Sequence, residues 1–446
     1  MNFNNFKDKK ILILGFGMEG KDSLFFLRKF FPQKILTIGD RTEFKIFDQK
    51  TQKLIKKDKN IRLDLGKDYL KNLNKYDIII KSPGISFFLP EIKNAQKKGK
   101  VLTSQTKIFL ENCPCKIIGI TGTKGKSTTT SLIYHILKIA NFKVHLVGNI
   151  GKPVLSLLLK AKKNDIFVNE LSSHQLLNIR KSPKIAVFLN IYPEHLDYYP
   201  GFKDYFEAKT NITKFQTKND YFVFNKKQKL INDLAKKSKA KKIPFNTINI
   251  EKIIKTKDIP LMGKFNLENI RAAIAVSKIF NVSDEIFAKA IKTFKALPHR
   301  LEFIGCYKEI KFYDDAIATI PEATIVAMET LGNDVQTILL GGFERNLDFT
   351  ELAKKILKSK IQNVILFPTT GSRIWEAIQK EAEKEKKKKS LESFFVNSME
   401  EAVKLAYSNT DKGKICLLST ASSSFSIFKD YKEKGNLFKK YVKKWA

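Results

Sequence analysis

Ile117-Ile118-Gly119-Ile120-Thr121-Gly122-Thr123-Lys124-Gly125-Lys126-Ser127-Thr128-Thr129-Thr130 is the stretch that decides the fold. An apolar run meets a helical one through a glycine-rich loop that closes on Lys-Ser. Such a loop lets backbone N–H groups converge on phosphate oxygens at a helix N-terminus. Lys126 would reach the β/γ-phosphates of a nucleotide, and the Ser127 hydroxyl would ligate Mg²⁺. The pattern is not the standard G-x-x-x-x-G-K-[ST], because Ile120 stands where the first glycine belongs. It fits the shorter T-G-T-x-G-K-[ST]. A glycine turn that binds nothing is the bland alternative, and the order strand, loop, Lys-Ser, helix argues against it.

On both sides of this loop short apolar runs alternate with amphipathic stretches, the mark of βα units and mostly parallel sheets. Three segments result, an α/β chain with boundaries at 1–112, 113–297 and 298–446. The first has strand Ile11–Leu14, the turn Gly15-Phe16-Gly17-Met18-Glu19-Gly20, a helix through Phe31, and strand Ile35–Ile38 ending at Asp40-Arg41. Its strand Ile78–Ile80 runs into Ser82-Pro83-Gly84-Ile85. The second adds strands Ile117–Ile120, Ile166–Val168 and Ile185–Leu189. The third carries Thr337–Leu340, Val364–Phe367 and Ile415–Leu418. The G-x-G-x-x-G of the first segment follows a strand, and Asp40 lies about 20 residues past its last glycine, as in a dinucleotide fingerprint. A redox NAD site, a nucleotide-sugar diphosphate site and a bare structural turn all fit it.

Of the 446 residues, 82 are Lys or Arg against 45 Asp or Glu, a net charge of +37. Hydrophobic residues make up 43%, including 35 Phe, which excludes a mostly disordered chain. No apolar run reaches the roughly 18–20 residues of a membrane span. The run Ile11–Gly17 is too short for a signal-peptide core. The chain therefore reads as soluble and cytoplasmic, with no membrane partner. The four cysteines include the C-x-C pair Cys113 and Cys115, without a His/Cys cluster, and read as reduced structural thiols. The cations are 74 Lys and only 8 Arg, spread along the chain. Base readers need Arg for bidentate contacts, so the charge reads as a solvated surface that attracts polyanions, with no nucleic-acid partner. The lysine run ending at Lys389 is expected to be an exposed helix end or loop.

Further motifs follow the phosphate loop in order: Gly148-Asn149-Ile150-Gly151, Asn169-Glu170-Leu171-Ser172-Ser173-His174-Gln175-Leu176, Asn190-Ile191-Tyr192-Pro193-Glu194-His195-Leu196-Asp197, and Phe206-Glu207-Ala208-Lys209. Then come Gly263-Lys264-Phe265-Asn266-Leu267-Glu268-Asn269, Leu297-Pro298-His299-Arg300-Leu301-Glu302, and Leu418-Ser419-Thr420-Ala421-Ser422-Ser423-Ser424-Phe425. Together they resemble the Mur ligases of peptidoglycan synthesis, most closely the glutamate-adding members, over nearly the whole chain.

The resemblance implies three domains: an N-terminal Rossmann-like UDP-binding domain, a central P-loop ATPase domain and a C-terminal Rossmann-like amino-acid domain. It implies ATP-dependent addition of glutamate to UDP-N-acetylmuramoyl-L-alanine by way of an acyl phosphate, in a monomer. Gly122, Thr123, Lys124, Gly125, Lys126, Ser127 and Thr128 would hold the ATP phosphates. Asn266 and Asn269 would lie on its adenine side, and Arg300 and Asp315 would reach ATP on domain closure. Lys126, Glu170, His195 and Lys209 would be catalytic. Ser127, Glu170, His195 and a carbamylated Lys209 would hold Mg²⁺, since a neutral lysine is a poor Mg²⁺ ligand and a carbamate is an anionic oxygen donor. UDP-sugar contacts would be Gly17, Met18, Glu19, Gly20, Asp40, Arg41 and Ser82, with Asn149 near the transferred phosphate. Thr319, Arg345, Ser424 and Tyr431 would contact glutamate. His299 sits at the hinge, where packing and function are equally open.

The chain departs from this family where its D-S-K-A-T becomes Asp315-Ala316-Ile317-Ala318-Thr319, and where Arg345 replaces a lysine. Losing a cation at Ile317 alters how a carboxylate is held. The combination resembles the subgroup that adds L-glutamate, so L-glutamate is expected over the alternative, D-glutamate. Folylpolyglutamate synthases share the ligase core but begin at the ATPase domain, and an amidated lipid-linked muramoyl partner protein, another ligase-core alternative, lacks this N-terminal arrangement. A P-loop nucleic-acid-binding protein is the reading from another class.

Overall fold

The computed structural model describes residues 3–195, 198–385 and 390–446. It divides into two compact units, Met1–Pro260 with Phe265–Phe294, and Leu261–Lys264 with Lys295–Ala446. The first unit holds two sheets. One comprises β1 (Ile11–Leu14), β2 (Leu36–Asp40), β3 (Ile61–Leu65), β4 (Ile78–Lys81) and β5 (Val101–Thr103), in the order β3-β2-β1-β4-β5. The other comprises β6 (Lys116–Thr121), β7 (Val144–Gly148), β8 (Ile166–Glu170), β9 (Ile185–Phe188), β10 (Tyr221–Phe224) and β11 (Lys241–Pro244), in the order β11-β10-β9-β6-β8-β7. All pairings in both sheets are parallel. β1, β4 and β9 are buried along their whole length because helices cover both faces, which is why they read as unbroken apolar runs.

The second unit holds β12 (Glu302–Tyr307), β13 (Ile310–Asp314), β14 (Val335–Gly341), β15 (Asn363–Phe367), β16 (Glu392–Phe395) and β17 (Ile415–Leu418), ordered β12-β13-β17-β14-β15-β16. Here β12 and β13 form an antiparallel hairpin and the rest is parallel.

The strands expected from the apolar runs are all present, with ends shifted by a residue or two. In open parallel sheets ligands bind beyond the carboxyl ends of the strands, where the strand order reverses. The first sheet reverses between β1 and β4. The turns there are Gly15–Gly20 after β1 and Ser82–Ile85 after β4. In the second sheet the phosphate loop follows β6, Glu170 closes β8, and the Asn190–His195 segment follows β9. In the third, Asp315, Gly341–Arg345 and Ser419–Ser424 follow β13, β14 and β17. Each set of motif residues therefore gathers at one edge of its own sheet. Lys384 lies in the helix Gly371–Glu385; residues 386–389 of the lysine run, and Leu196 and Asp197, fall outside the described residues. All four cysteines are free thiols.

Candidate functional site

The phosphate loop joins β6 to the helix Lys126–Ile139, whose N-cap is Gly125. Gly125 has φ +82°, and a Cβ there would lie 2.2 Å from Asn269 Oδ1. Glycine is required at this point both by conformation and by the approach of the helix Lys264–Lys278. Asn269 Oδ1 accepts from Thr129 Oγ1 at 3.2 Å, and Asn269 Nδ2 donates to Asn266 Oδ1 at 2.9 Å. Both expected adenine-side asparagines thus stand against the start of the phosphate-loop helix. Thr123 N donates to Asn190 O at 2.9 Å, and Lys124 N donates to Asn190 Oδ1 at 2.7 Å. The loop after β9 thereby braces the phosphate loop. Lys126 Nζ curls back onto the carbonyls of Gly122 and Thr123, at 3.0 and 2.9 Å. Ser127 and Thr128 are buried in the first turn.

Glu170 ends β8 and is 1% exposed. Its Oε1 accepts from Asn149 Nδ2 at 3.0 Å, while Oε2 is buried without a hydrogen-bond partner among the described residues. A buried, unpartnered carboxylate oxygen is free to accept a cation. With the Ser127 hydroxyl near the same strand edge, the donors are hard oxygens, which suits Mg²⁺. Lys209, on the helix Phe202–Lys214, is also 1% exposed. Its Nζ donates to Gly122 O at 2.9 Å and lies 4.8 Å from the centre of the Tyr205 ring. Burial, aided by the charge of Lys126, holds this amine well below the usual lysine range; Glu194 and Glu170 oppose that shift. His195 has φ 58°, and its Nε2 is 3.8 Å from Glu194 Oε2. Glu194 in turn bonds Lys124 Nζ at 2.7 Å. The fold brings together Lys126, Ser127, Asn149, Glu170, Glu194 and Lys209.

At the first sheet Gly15 has φ +90°, and a Cβ on Gly20 would overlap the Gly15 carbonyl oxygen at 2.2 Å. Phe16 N and Thr42 N donate to the two carboxylate oxygens of Asp40, at 2.6 and 2.8 Å. Asp40 therefore pins the glycine turn to the end of β2. Ser82 Oγ donates to Gly15 O at 2.8 Å, so it closes the same turn from β4. Gly17, Met18 and Arg41 are exposed beside it. The Glu19 side chain instead turns inward, and Gln175 Nε2 donates to its Oε1 at 2.9 Å.

In the second unit Asp315 accepts from Leu301 N at 3.1 Å and Ser419 Oγ at 2.9 Å, and burial pushes its carboxyl up to about 7. Arg300 and Thr319 are half-buried, Tyr431 likewise, Arg345 is exposed, and Ser424 Oγ is buried without a partner among the described residues. His299 Nδ1 lies 2.7 Å from Asp314 Oδ2. With Glu302 these two could ligate a metal by spacing, but Lys439 Nζ already sits 2.5 Å from Glu302 and 3.7 Å from Asp314. Lys439, Glu302, Asp314 and His299 thus lie in one polar cluster. Lys434, a residue that sequence reasoning gave no charge role, is buried with Nζ on Thr420 Oγ1 and near enough to Asp314 and Asp315 to feel their charge. Its motif, Lys434-Gly435-Asn436, belongs to the resemblance, but its burial is not legible there.

The sequence matches the Mur ligase middle domain over residues 120–258 and the Mur ligase glutamate ligase domain over residues 299–422. Two curated proteins named UDP-N-acetylmuramoylalanine–D-glutamate ligase align over almost their whole length. The one from Clostridium tetani is 32% identical, with 99% of each chain covered, and the one from Acetivibrio thermocellus is 33% identical, with 98% and 96% covered. The chain belongs to the Mur ligase family. The fold of this Mur ligase is also that of UDP-N-acetylmuramate–alanine ligase from Thermotoga maritima (TM-score 0.59, 17% identity, 98% and 100% covered). It matches the MurF ligase of the same organism, solved with ADP, at TM-score 0.57 and 18% identity, covering 99% and 97%.

Proposed function

We propose that this Mur ligase is the cytoplasmic, monomeric enzyme that adds D-glutamate to UDP-N-acetylmuramoyl-L-alanine with ATP and Mg²⁺. The observation that carries the reading is the full-length likeness to ligases named for that reaction, joined to a phosphate loop with Glu170 and Lys209 buried against it. The relatives' name replaces the L-glutamate expectation with its D-glutamate alternative. A cation count at position 317 alone does not decide the enantiomer: a further lysine, Lys434, is buried in the same unit with its Nζ on Thr420 Oγ1.

In this reading the domains are 1–112, 113–297 and 298–446. The loop amides and Lys126 hold the phosphate chain, and they offset the repulsion between a carboxylate and ATP as the acyl phosphate forms. Asn149 orients the muramoyl-alanine carboxylate and keeps Glu170 aimed. Ser127, Glu170, His195 and Lys209 as its carbamate hold Mg²⁺, which when bound neutralises phosphate charge. The depressed basicity of Lys209 supports carbamate formation, because only the neutral amine adds CO₂. Arg300 and Asp315 are assigned to ATP, and Thr319, Arg345, Ser424 and Tyr431 to glutamate, on motif position.

The test is ATP-dependent phosphate release with UDP-N-acetylmuramoyl-L-alanine and each glutamate enantiomer separately. D-Glutamate is expected to win by at least tenfold in kcat/KM, about 1.4 kcal/mol in the transition state. A preference for L-glutamate would restore the reading drawn from Ile317 and Arg345, and Ile317→Lys would then shift it toward the D form.

A further inference from the structure

The helix Met18–Phe30 begins at the turn assigned to the UDP-sugar, and Glu19 lies in its first turn. An ionised carboxylate there would oppose a bound diphosphate at the positive end of the helix. The half-buried side chain instead turns inward, its Oε2 buried without a partner among the described residues, and its Oε1 engages the short helix Ser173–Leu176 after β8. Gln175 Nε2 donates to Glu19 Oε1 at 2.9 Å, and Gln175 Oε1 accepts from Ser172 N at 3.0 Å. Gln175 N also donates to Ser172 Oγ, completing a capping box just two residues beyond Glu170. One glutamine amide thus joins Glu19 to the backbone of the loop that follows Glu170 at the end of β8.

A nearby charge and a backbone hydrogen bond also bear on Glu19. Lys81, buried at the end of β4, donates to Ser82 O and Ile85 O at 2.9 and 2.5 Å, and its charge lies close enough to act on Glu19. Gln105 Nε2 donates to the Glu19 carbonyl at 3.2 Å and to Asp22 Oδ2 at 2.7 Å. Burial raises the Glu19 carboxyl above its ordinary range, while Gln175 and Lys81 oppose that shift.

We propose that Glu19 is a positioning residue that ties the UDP-sugar turn to the Glu170 loop through Gln175, so that filling the UDP-sugar site orders the metal carboxylate. This deepens the proposed function and rests on it. The residue does not touch the diphosphate; it transmits where the helix start sits.

The test uses the full chain as Glu19→Ala, Glu19→Gln, Gln175→Ala and the double Glu19→Ala/Gln175→Ala. Amide hydrogen exchange over residues 171–176 is followed without nucleotide or metal, before and after UDP-N-acetylmuramoyl-L-alanine, whose Kd is read by calorimetry. In wild type the UDP-sugar slows exchange in this loop. Glu19→Ala and Gln175→Ala each remove that protection while still binding the UDP-sugar. Each raises half-saturating Mg²⁺ by at least about fivefold, the low end of ordinary coupling between sites. The double variant is no worse than the worse single one, and Glu19→Gln, which keeps the acceptor oxygen, restores most of the protection. Protection equal to wild type in Glu19→Ala, additive effects in the double variant, or lost UDP-sugar affinity with an unaltered loop would each overturn the proposal. If Glu19→Ala does not fold, Gln175→Ala carries the same comparison. Wild-type phosphate release in the same preparation tests the function separately.

Discussion

Burial of the Lys209 amine beside Lys126 disfavours its protonated form, and a neutral amine is what a carbamate requires. Lys209→Ala is expected to be nearly inactive and to recover partly with acetate or bicarbonate-like anions, measured as phosphate release; an unaffected variant would make Lys209 only a packing residue. Lys126→Ala should lose more than a factor of ten, about 1.4 kcal/mol, with an unchanged melting temperature. Asp315 gives a pH prediction. Its folded value of about 7 lies above the ordinary 3.8, so the folded state binds the proton more tightly. The stability this contributes is present below pH 3.8 and lost as pH rises toward 7. Asp314, Arg300 and Lys434 face the same carboxyl and shape that slope. Lys434, lowered to about 7 by burial, acts in the window above, where stability grows with pH up to its ordinary 10.5. Asp315→Asn should flatten the lower window in melting temperature against pH and leave the upper one.

Between elements, one carboxylate from the first sheet's helix caps a helix of the second. Asp22 accepts from Leu155 N and Ser156 N at 3.0 and 3.2 Å, from Ser156 Oγ, and from Gln105. Asp22→Ala strands those buried donors and is expected to cost about 2–3 kcal/mol, read by denaturant unfolding. A loss under about 0.5 kcal/mol would show that the helix Val154–Leu158 is held by its apolar face alone. Gly125→Ala places a methyl on Asn269 at a positive φ, and both ATP affinity and melting temperature should fall. The hairpin β12–β13 shows what local signals omit. Its turn residues Lys308 and Glu309 have φ 50° and 64°, the geometry usually announced by Asn-Gly. With no such residues the hairpin has no local announcement, and the short strands β3, β5, β7, β10, β11 and β16 likewise fall outside the apolar runs named above.

Across the whole molecule the +37 charge is carried by lysines spread along the chain, and no helix among the described residues is long and apolar enough to cross a membrane. Such a surface holds polyanions only at long range. DNA retained on filters at low ionic strength should be released near 0.15 M salt, where the screening length is about 8 Å, and UDP-sugar should not compete. Tight binding at that salt would revive the nucleic-acid reading.

The order of βα units, the phosphate loop and the motif series through Glu302 were determined by the sequence, because side-chain periodicity, glycine at positive φ and strand-end loops are set within windows of about ten residues. Which charged groups are buried was decided by tertiary structure alone. Lys209 meets a carbonyl 87 residues away, and Glu19 meets Gln175 across 156. Asp40, expected among the UDP-sugar contacts, gives both oxygens to backbone amides at the turn. A lysine on a sheltered face and one on an open face have the same local sequence signature. Desolvation depends on every element packed around the group, and that information exists only once the chain has folded.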